Sequence, residues 1–200
     1  MGLDLEYNND QTPISEEEKE DILIPTISTR GELDEFEQAN IEKALEWSMK
    51  SRFSINEVLS IAFTKELHKR MFSEVWAWAG SFRRTNKNIG VDKFLIEQEL
   101  YKLVDDCRYW MENNVYSEDE TAIRYKYRMV SIHPFPNGNG RHSRICGDIL
   151  VSPLLGRPVF PWGGKRIEKP GETRRLYLHA LHRADQNDFS TLLEFARSGS

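Results

Sequence analysis

One short segment interrupts an otherwise helical pattern in this chain, and it limits how the chain can fold. Residues 133–144 read HPFPNGNGRHSR. Pro134 disfavours helical backbone angles at His133, so it ends the helix that the upstream residues predict. Apolar residues at helical spacing resume downstream, which predicts a second helix beginning near Asn139. The segment is therefore predicted to be a loop held between two core helices.

Helical periodicity recurs along most of the remaining sequence. Ser-x-x-Glu capping boxes at Ser54 and Ser117 predict the starts of two further helices. Residues 81–94 lack this periodicity and contain Asn-Ile-Gly, which predicts a short β-hairpin. We therefore predict an all-α fold with one small hairpin. Its parts are a polar arm at 1–30, an N-terminal helix at 31–53 that could be regulatory, and a main domain at 54–197.

Composition narrows the class of protein and its partners. The 200 residues carry 27 basic and 32 acidic side chains, a net charge of −5, which argues against nucleic acid as the main partner. The sequence has no signal-peptide pattern and no run of eighteen apolar residues, so we expect a cytoplasmic protein without a membrane partner. Cys107 and Cys146 each lie in an apolar helical pattern and are predicted to be buried free thiols.

The loop combines groups that suit a phosphate. Gly138, Asn139 and Gly140 precede a helix, where backbone N–H groups and the helix dipole favour an anion. Arg141 and Arg144 are three residues apart and can share one helix face, where guanidinium groups grip phosphate oxygens. His133 can accept a proton from a hydroxyl near neutral pH. The pattern favours phosphoryl or nucleotidyl transfer.

The residues alone are also consistent with a loop that has only a structural role. A Pro/Gly/Asn segment is often only a turn, a single histidine is often structural, and arginines at a helix start are often surface residues; no P-loop or GxGxxG pattern is present. The side-chain oxygen of Asn137 could bind magnesium that bridges phosphates, although a neutral amide binds it more weakly than a carboxylate.

The same segment strongly resembles the Fic family signature, His-Pro-Phe-x-(Asp/Glu)-Gly-Asn-(Gly/Lys)-Arg-x-x-Arg. Every signature position matches except Asn137. Two further segments also resemble parts of that family that flank the signature: LHKRMFSEVWAWAGSFR and LHALHRADQNDFSTLLEF. The resemblance therefore covers roughly residues 54–197. Within the family, the chain looks like the bacterial subgroup called mobile mystery protein B.

The resemblance implies a Fic-type helical core, with 54–197 as the catalytic domain, which moves AMP from ATP onto a Ser, Thr or Tyr hydroxyl of a target protein with Mg²⁺ or Mn²⁺. His133 would deprotonate the hydroxyl and Phe135 would anchor the loop. The phosphates would be held by Gly138, Asn139, Gly140, Arg141 and Arg144. The predicted hairpin would be a flap that aligns the target by strand addition, through Thr85, Asn86, Lys87, Asn88 and Ile89.

Asn137 departs from the family pattern, which has a carboxylate there to hold magnesium. Weak metal binding, slow transfer or transfer of another phosphate-containing group would follow. The rival interpretation is a nucleotide-binding or interaction module whose weakened metal site no longer supports turnover. The sequence does not identify the target protein. By resemblance, this toxin-like activity would be restrained by an antitoxin-like partner or by the chain itself.

Many Fic proteins carry an inhibitory helix with the pattern Ser/Thr-x-x-x-Glu-Gly/Asn, whose glutamate pairs with the second motif arginine. Ser28 to Glu32 fit its first part, but Leu33 stands where Gly or Asn is expected. Glu32 is therefore a candidate inhibitory partner of Arg144, against the alternative of an ordinary glutamate in the first turn of a helix.

Two further groups have structural and functional readings. His179 and His182 are three residues apart on one predicted helix, but no third metal ligand accompanies them, so surface histidines are favoured. The aromatic residues Trp76, Trp78 and Phe82 could stack a base, although core packing is favoured.

Overall fold

The computed structural model describes residues 20–27, 29–163 and 170–199, and its fold is all-α as predicted. The helices run in chain order as follows: α1 Arg30–Lys50, α2 Ile55–Val58, α3 Ile61–Phe72, α4 Ile96–Glu112, α5 Glu118–Ile132, α6 Asn139–Ile149, α7 Pro170–Asp185 and α8 Ser190–Arg197. A 3₁₀ turn, Lys93–Leu95, leads into α4, and a π-helical turn, Leu150–Leu154, follows α6.

Helices that are neighbours in sequence pack together around α5 and α6. Helix α5 packs against α4 on one side and α6 on the other, and α3 contacts α1, α4 and α6. The residues between α5 and α6 are the loop predicted from Pro134, and Phe135 in that loop is fully buried. Cys107 and Cys146 are buried free thiols, as predicted. The loop is therefore anchored in the packed core through Phe135.

Both polar and apolar side chains attach α1 to this core. Asn40 is buried; its side-chain amide donates to the Arg70 carbonyl at 2.8 Å, and its oxygen accepts from the Glu74 amide at 2.9 Å. Leu33 and Ile41 on the same face are also buried. Buried polar groups need partners, so these contacts fix the register of α1 on α3.

The N-terminal residues that are described run along the loop after α3. Leu23 donates from its backbone to Val75 at 2.8 Å, and Ala77 donates to Asp21 at 2.9 Å. These bonds flank an isolated antiparallel bridge between Ile22 and Trp76. Residues 1–19 of the predicted arm lie outside the described residues. Within the described ranges, no helix is long and apolar enough to cross a membrane.

Candidate active site

His133 lies at the C-terminal end of α5 in a left-handed backbone conformation, with φ 54° and ψ 58°. Its amide still donates to the Met129 carbonyl at 3.3 Å, and its side chain is 6% exposed. Nδ1 is buried without a partner of full hydrogen-bond geometry among the described residues, and a backbone interaction with Val130 acts to raise the pKa of the ring. Since Pro134 prevents the helix from continuing, the chain turns here and leaves the imidazole at the helix end.

The loop after His133 is closed by the side chain of Asn139. The Phe135 amide donates to Asn139 Oδ1 at 2.9 Å, and Asn139 Nδ2 donates back to the Phe135 carbonyl at 2.8 Å. Asn139 is 3% exposed. Its side chain is thus committed to the loop, and only its backbone is positioned to contact an anion.

Gly138 begins α6 as its N-cap, with φ 76°. A Cβ at this position would lie 2.5 Å from the Phe72 ring, whereas a Cβ at Gly140 would meet nothing within 4 Å. The hydrogen-bond ladder of α6 begins where the His142 amide donates to the Gly138 carbonyl at 2.9 Å. The amides of residues 139–141 precede that first bond and point out of the helix end, which is the arrangement predicted for an anion site.

Arg141 is paired with a buried glutamate from α1. Its Nη1 lies 2.5 Å from Glu37 Oε2, and the Glu37 side chain is 1% exposed. The other carboxylate oxygen accepts from Trp76 Nε1 at 2.7 Å. One motif arginine is therefore occupied by an internal carboxylate in this structure.

Arg144 lies against α7, whereas Arg141 contacts α1. Its guanidinium is 4.8 Å from the centre of the Tyr177 ring, and its Nε is buried without a hydrogen-bond partner in the described part of the chain. Lys126, which is fully buried, donates to the Tyr177 hydroxyl. Arg144 and Lys126 thus both contact Tyr177, and burial, with Arg144 nearby, holds the pKa of Lys126 well below its usual value.

Asn137 does not supply a metal site in this geometry. Its Oδ1 accepts from the Gly138 amide at 2.7 Å, so the oxygen expected to bind magnesium is already used. The described residues contain no group of three His, Cys, Asp or Glu side chains that could hold a metal ion. Because Mg²⁺ prefers carboxylate oxygens, a single neutral amide does not fit an ion held by the protein.

The predicted hairpin at residues 81–94 is wrong. The part that holds Thr85 to Ile89 is an irregular loop with no strand in residues 81–92. Arg83, which is buried, explains the difference: its guanidinium donates to the carbonyl groups of Thr85, at 2.9 Å, and Val91. These carbonyls would have paired with the opposite strand of a hairpin.

The same arginine joins this loop to residues 132–134. Arg83 Nε donates to the His133 carbonyl at 2.7 Å, and its backbone amide donates to the Pro134 carbonyl at 2.9 Å. At the other end of the loop, the Val91 amide donates to the Ile132 carbonyl at 3.3 Å. The predicted flap residues therefore lie beside His133, although they do not form strands.

Glu32 lies in the first turn of α1, where it forms a capping box with Thr29. Its carboxylate accepts from the Thr29 amide at 2.9 Å. Ser28 lies outside the described residues, and the pairing of Glu32 with Arg144 stays a prediction. The glutamate that contacts a motif arginine is Glu37, five residues further along the helix.

Burial controls the protonation of the histidines around the loop. Burial, with the Arg83 guanidinium nearby, lowers the pKa of His133 to about 4. Burial alone lowers the pKa of His142 to about 4, and it holds the pKa of His68 well below its usual value. All three rings are neutral at pH 7. His133 can therefore accept a proton there.

The free energy of unfolding is expected to fall as the pH is lowered from 6.5 towards 4. In this range the unfolded chain binds protons at histidines that the folded chain keeps neutral. His142, whose pKa falls from 6.5 to about 4, accounts for about 3 kcal/mol of this loss. Asp148 acts in the opposite sense, because burial raises its pKa to about 6 and the folded chain retains its proton.

Urea unfolding at pH 7.5, 6, 5 and 4.5 measures the effect. The variant His142→Gln removes one titrating ring and is expected to show a shallower dependence on pH, whatever its stability at pH 7.5. An unchanged slope would contradict the assignment to His142.

The structure brings together most of the residues that the sequence singled out. His133 lies at the start of one loop and Gly138, Asn139 and Gly140 lie at its end, where α6 begins. Arg141 and Arg144 follow in α6 and contact α1 and α7. Sequence reasoning missed Arg83, Glu37 and His68, which hold that loop from other elements. His179 and His182 are exposed on α7, and Trp76 and Trp78 are buried in the core, as favoured.

Comparison with known proteins identifies a related family. Residues 58–151 match the model of the Fic/DOC family. The chain is 30% identical over 135 residues to a protein adenylyltransferase Fic of Drosophila grimshawi, and 31% identical over 135 residues to the one of Drosophila willistoni. These alignments cover 65% of this chain but 26% and 25% of the relatives. The chain thus spans about a quarter of the length of the curated relatives it matches.

Solved structures share the fold. Fic-1 of C. elegans (residues 134–508) superposes with a TM-score of 0.67 at 24% identity, covering 88% of this chain and 50% of that one. The BepC protein of Bartonella tribocorum, with bound AMPPNP, superposes with a TM-score of 0.64 at 18% identity, covering 86% and 87% of the two chains. The helical arrangement around the loop is therefore common to these proteins.

Proposed function

This chain belongs to the Fic/DOC family, and from that premise we propose that it is a protein adenylyltransferase, which moves AMP from ATP onto a Ser, Thr or Tyr hydroxyl of another protein. The observation that carries the proposal is a neutral, buried His133 beside the open N-terminus of α6. A base next to an anion site is what a hydroxyl needs to attack a phosphate. The printed names of the curated relatives support the same activity.

The proposed reaction assigns each side chain a task. The hydroxyl oxygen attacks the α-phosphorus of ATP, the bond from that phosphorus to the bridging oxygen breaks, and pyrophosphate leaves. The hydroxyl proton passes to the imidazole of His133. Because Nδ1 is buried, Nε2 is the nitrogen that meets the hydroxyl.

The α6 terminus and the two arginines would bind the phosphates. The backbone amides of Asn139 and Gly140, with that of Gly138 once it is released from Asn137 Oδ1, would bind one anion and would stabilise charge that develops during transfer. Arg141 would bind phosphate oxygens once it leaves Glu37, and Arg144 would bind the terminal phosphate. Since the described residues do not fit a metal held by the protein, we propose that Mg²⁺ or Mn²⁺ would be held by the ATP phosphates, where it would supply positive charge.

The residues next to His133 would receive the target. The loop that carries Thr85, Asn86, Lys87, Asn88 and Ile89 is exposed apart from the half-buried Lys87, and it begins and ends on bonds to residues 132–134. It would align a backbone segment of the target beside the imidazole. We further propose a cytoplasmic, toxin-like role, with restraint by an antitoxin-like partner or by α1.

Labelled ATP tests the proposal directly. The chain is incubated with magnesium and ATP labelled at either the α- or the γ-phosphate, alone and with a cell lysate, and labelled protein is detected on a gel. The proposal expects label from α-labelled ATP only. Label from γ-labelled ATP would indicate kinase chemistry. ATP binding without any transfer would favour a nucleotide-binding module, an outcome that the neutral Asn137 makes worth testing.

A further inference from the structure

His68 on α3 is buried directly beneath the anion loop, and the proposed reaction gives it no task. Its side chain is fully buried, and its ring stacks on Phe135 at 3.6 Å between ring centres with 10° between the planes. The edge of His142 packs against it at 5.6 Å. These contacts restrict the orientation of the His68 ring.

Both ring nitrogens of His68 bond to the backbone. The Gly80 amide donates to Nδ1 at 3.0 Å, and Nε2 lies 3.1 Å from the Asn137 carbonyl oxygen. An amide N–H can only donate, so Nδ1 is the acceptor and the ring proton resides on Nε2. Nε2 therefore donates to the Asn137 carbonyl, and the neutral ring satisfies both contacts.

The bond to Asn137 determines where the next amide points. In a trans peptide the C=O and N–H groups face opposite directions. Because the Asn137 carbonyl is held towards the buried His68 ring, the Gly138 N–H is turned away from the core. That amide begins the row at the α6 terminus, and in this structure it donates to Asn137 Oδ1 at 2.7 Å.

The bond to Gly80 connects the same ring to the loop beside His133. Gly80 ends the segment after α3, with φ 78°, and a Cβ there would lie 2.8 Å from Lys69 Cβ. Its position is thus fixed against α3, and residue 81 begins the loop that Arg83 organises. His68 therefore has one bond to the anion loop and one to the root of the loop that would receive the target.

We propose that His68 is a positioning residue that orients the Asn137–Gly138 peptide for phosphate binding and links this orientation to the root of the 81–92 loop. The inference rests on the proposed function only in taking the α6 terminus as the phosphate site. His68 touches neither ATP nor the hydroxyl, and it acts through the backbone.

Two substitutions separate the two bonds of His68. The amide nitrogen of Gln reaches the position of Nε2, so His68→Gln keeps a donor for the Asn137 carbonyl and loses the acceptor for Gly80. His68→Asn places its oxygen near Nδ1 and keeps only the bond to Gly80. Both variants lose the stack on Phe135, so each is the matched control for the other.

Calorimetric titration with ATP and magnesium provides the first measurement. His68→Gln is expected to bind ATP within about threefold of the unmodified chain, and His68→Asn about tenfold more weakly, since one hydrogen bond is lost. A purely structural role predicts equal losses in the two variants. Equal affinities, or tighter binding by His68→Asn, would overturn the proposal. Binding is read without transfer, so failure of the proposed AMP transfer would leave this comparison intact.

Nitrogen NMR of the unmodified chain decides the matter if either variant fails to fold. We expect a neutral ring with unprotonated Nδ1 and a slowly exchanging Nε2 proton, whose resonance shifts when ATP is added. The opposite tautomer, or a resonance that ATP leaves unmoved, would contradict the proposal.

Discussion

Replacing His133 by Asn is expected to reduce the rate of AMP transfer by about 10²- to 10⁴-fold, the usual contribution of a positioned base. Asn is chosen because it tolerates the left-handed backbone that His133 adopts at φ 54°. The side chain that accepts the proton is lost, while the α6 terminus and both arginines are kept. Initial rates with α-labelled ATP measure the effect, and ATP affinity is expected to change little.

The control is the same substitution at an exposed histidine. His182 lies on α7 and is exposed, so His182→Asn should transfer at the unmodified rate. Thermal unfolding of both variants shows that the fold is intact. If His133→Asn keeps more than a tenth of the activity, His133 is not the base.

Replacing Glu37 by Gln is expected to strengthen ATP binding by about tenfold or more and to raise transfer at limiting ATP. The carboxylate holds Arg141 at 2.5 Å, and a charged hydrogen bond of this kind is worth about 1.5–3 kcal/mol, which a phosphate has to displace. Gln keeps the volume and an oxygen to accept from Trp76 Nε1. Only the charge that competes for Arg141 is removed.

Glu32→Gln is the matched control on the same helix. Glu32 caps α1 through Thr29, so its loss should leave ATP affinity unchanged. If ATP affinity rises in Glu32→Gln and not in Glu37→Gln, the role of Glu37 is contradicted. That result would support the pairing of Glu32 with Arg144 that the sequence suggests. Titration with ATP and magnesium measures both variants.

Local signals in the sequence predicted the part of the site that is built locally. Helix α6 begins at Asn139, as predicted, and Ser54 and Ser117 are N-caps of the helices that they were expected to begin. Proline, glycine and capping residues act on their immediate neighbours, so their effects can be read without knowing the fold.

The loop at residues 81–92 could not be predicted in the same way. Asn-Ile-Gly is a turn signal, but the backbone groups that would have formed a hairpin are bound by the guanidinium of Arg83 and the side chain of Asn86. Arg83 can do this only because the chain places it against residues 133 and 134, about fifty positions away. A short-range pattern holds no information on that contact.

Glu37 and His68 could not be predicted from the sequence for the same reason. Glu37 contacts Arg141 across 104 positions, and His68 contacts Asn137 across 69. In the sequence, each is an ordinary member of a helical pattern. Their roles follow from how α1 and α3 pack against the loop, which depends on the whole core.

The contacts of Arg83 have a mechanical consequence for the loop beside His133. The guanidinium binds two carbonyls within the loop and one at His133, while Arg83 and Val91 bond through their amides to Pro134 and Ile132. If a target protein docks on this loop, as proposed, these bonds would transmit a displacement of the loop to the peptide groups on both sides of the imidazole. Under that proposal, a target that strains the loop would also move His133.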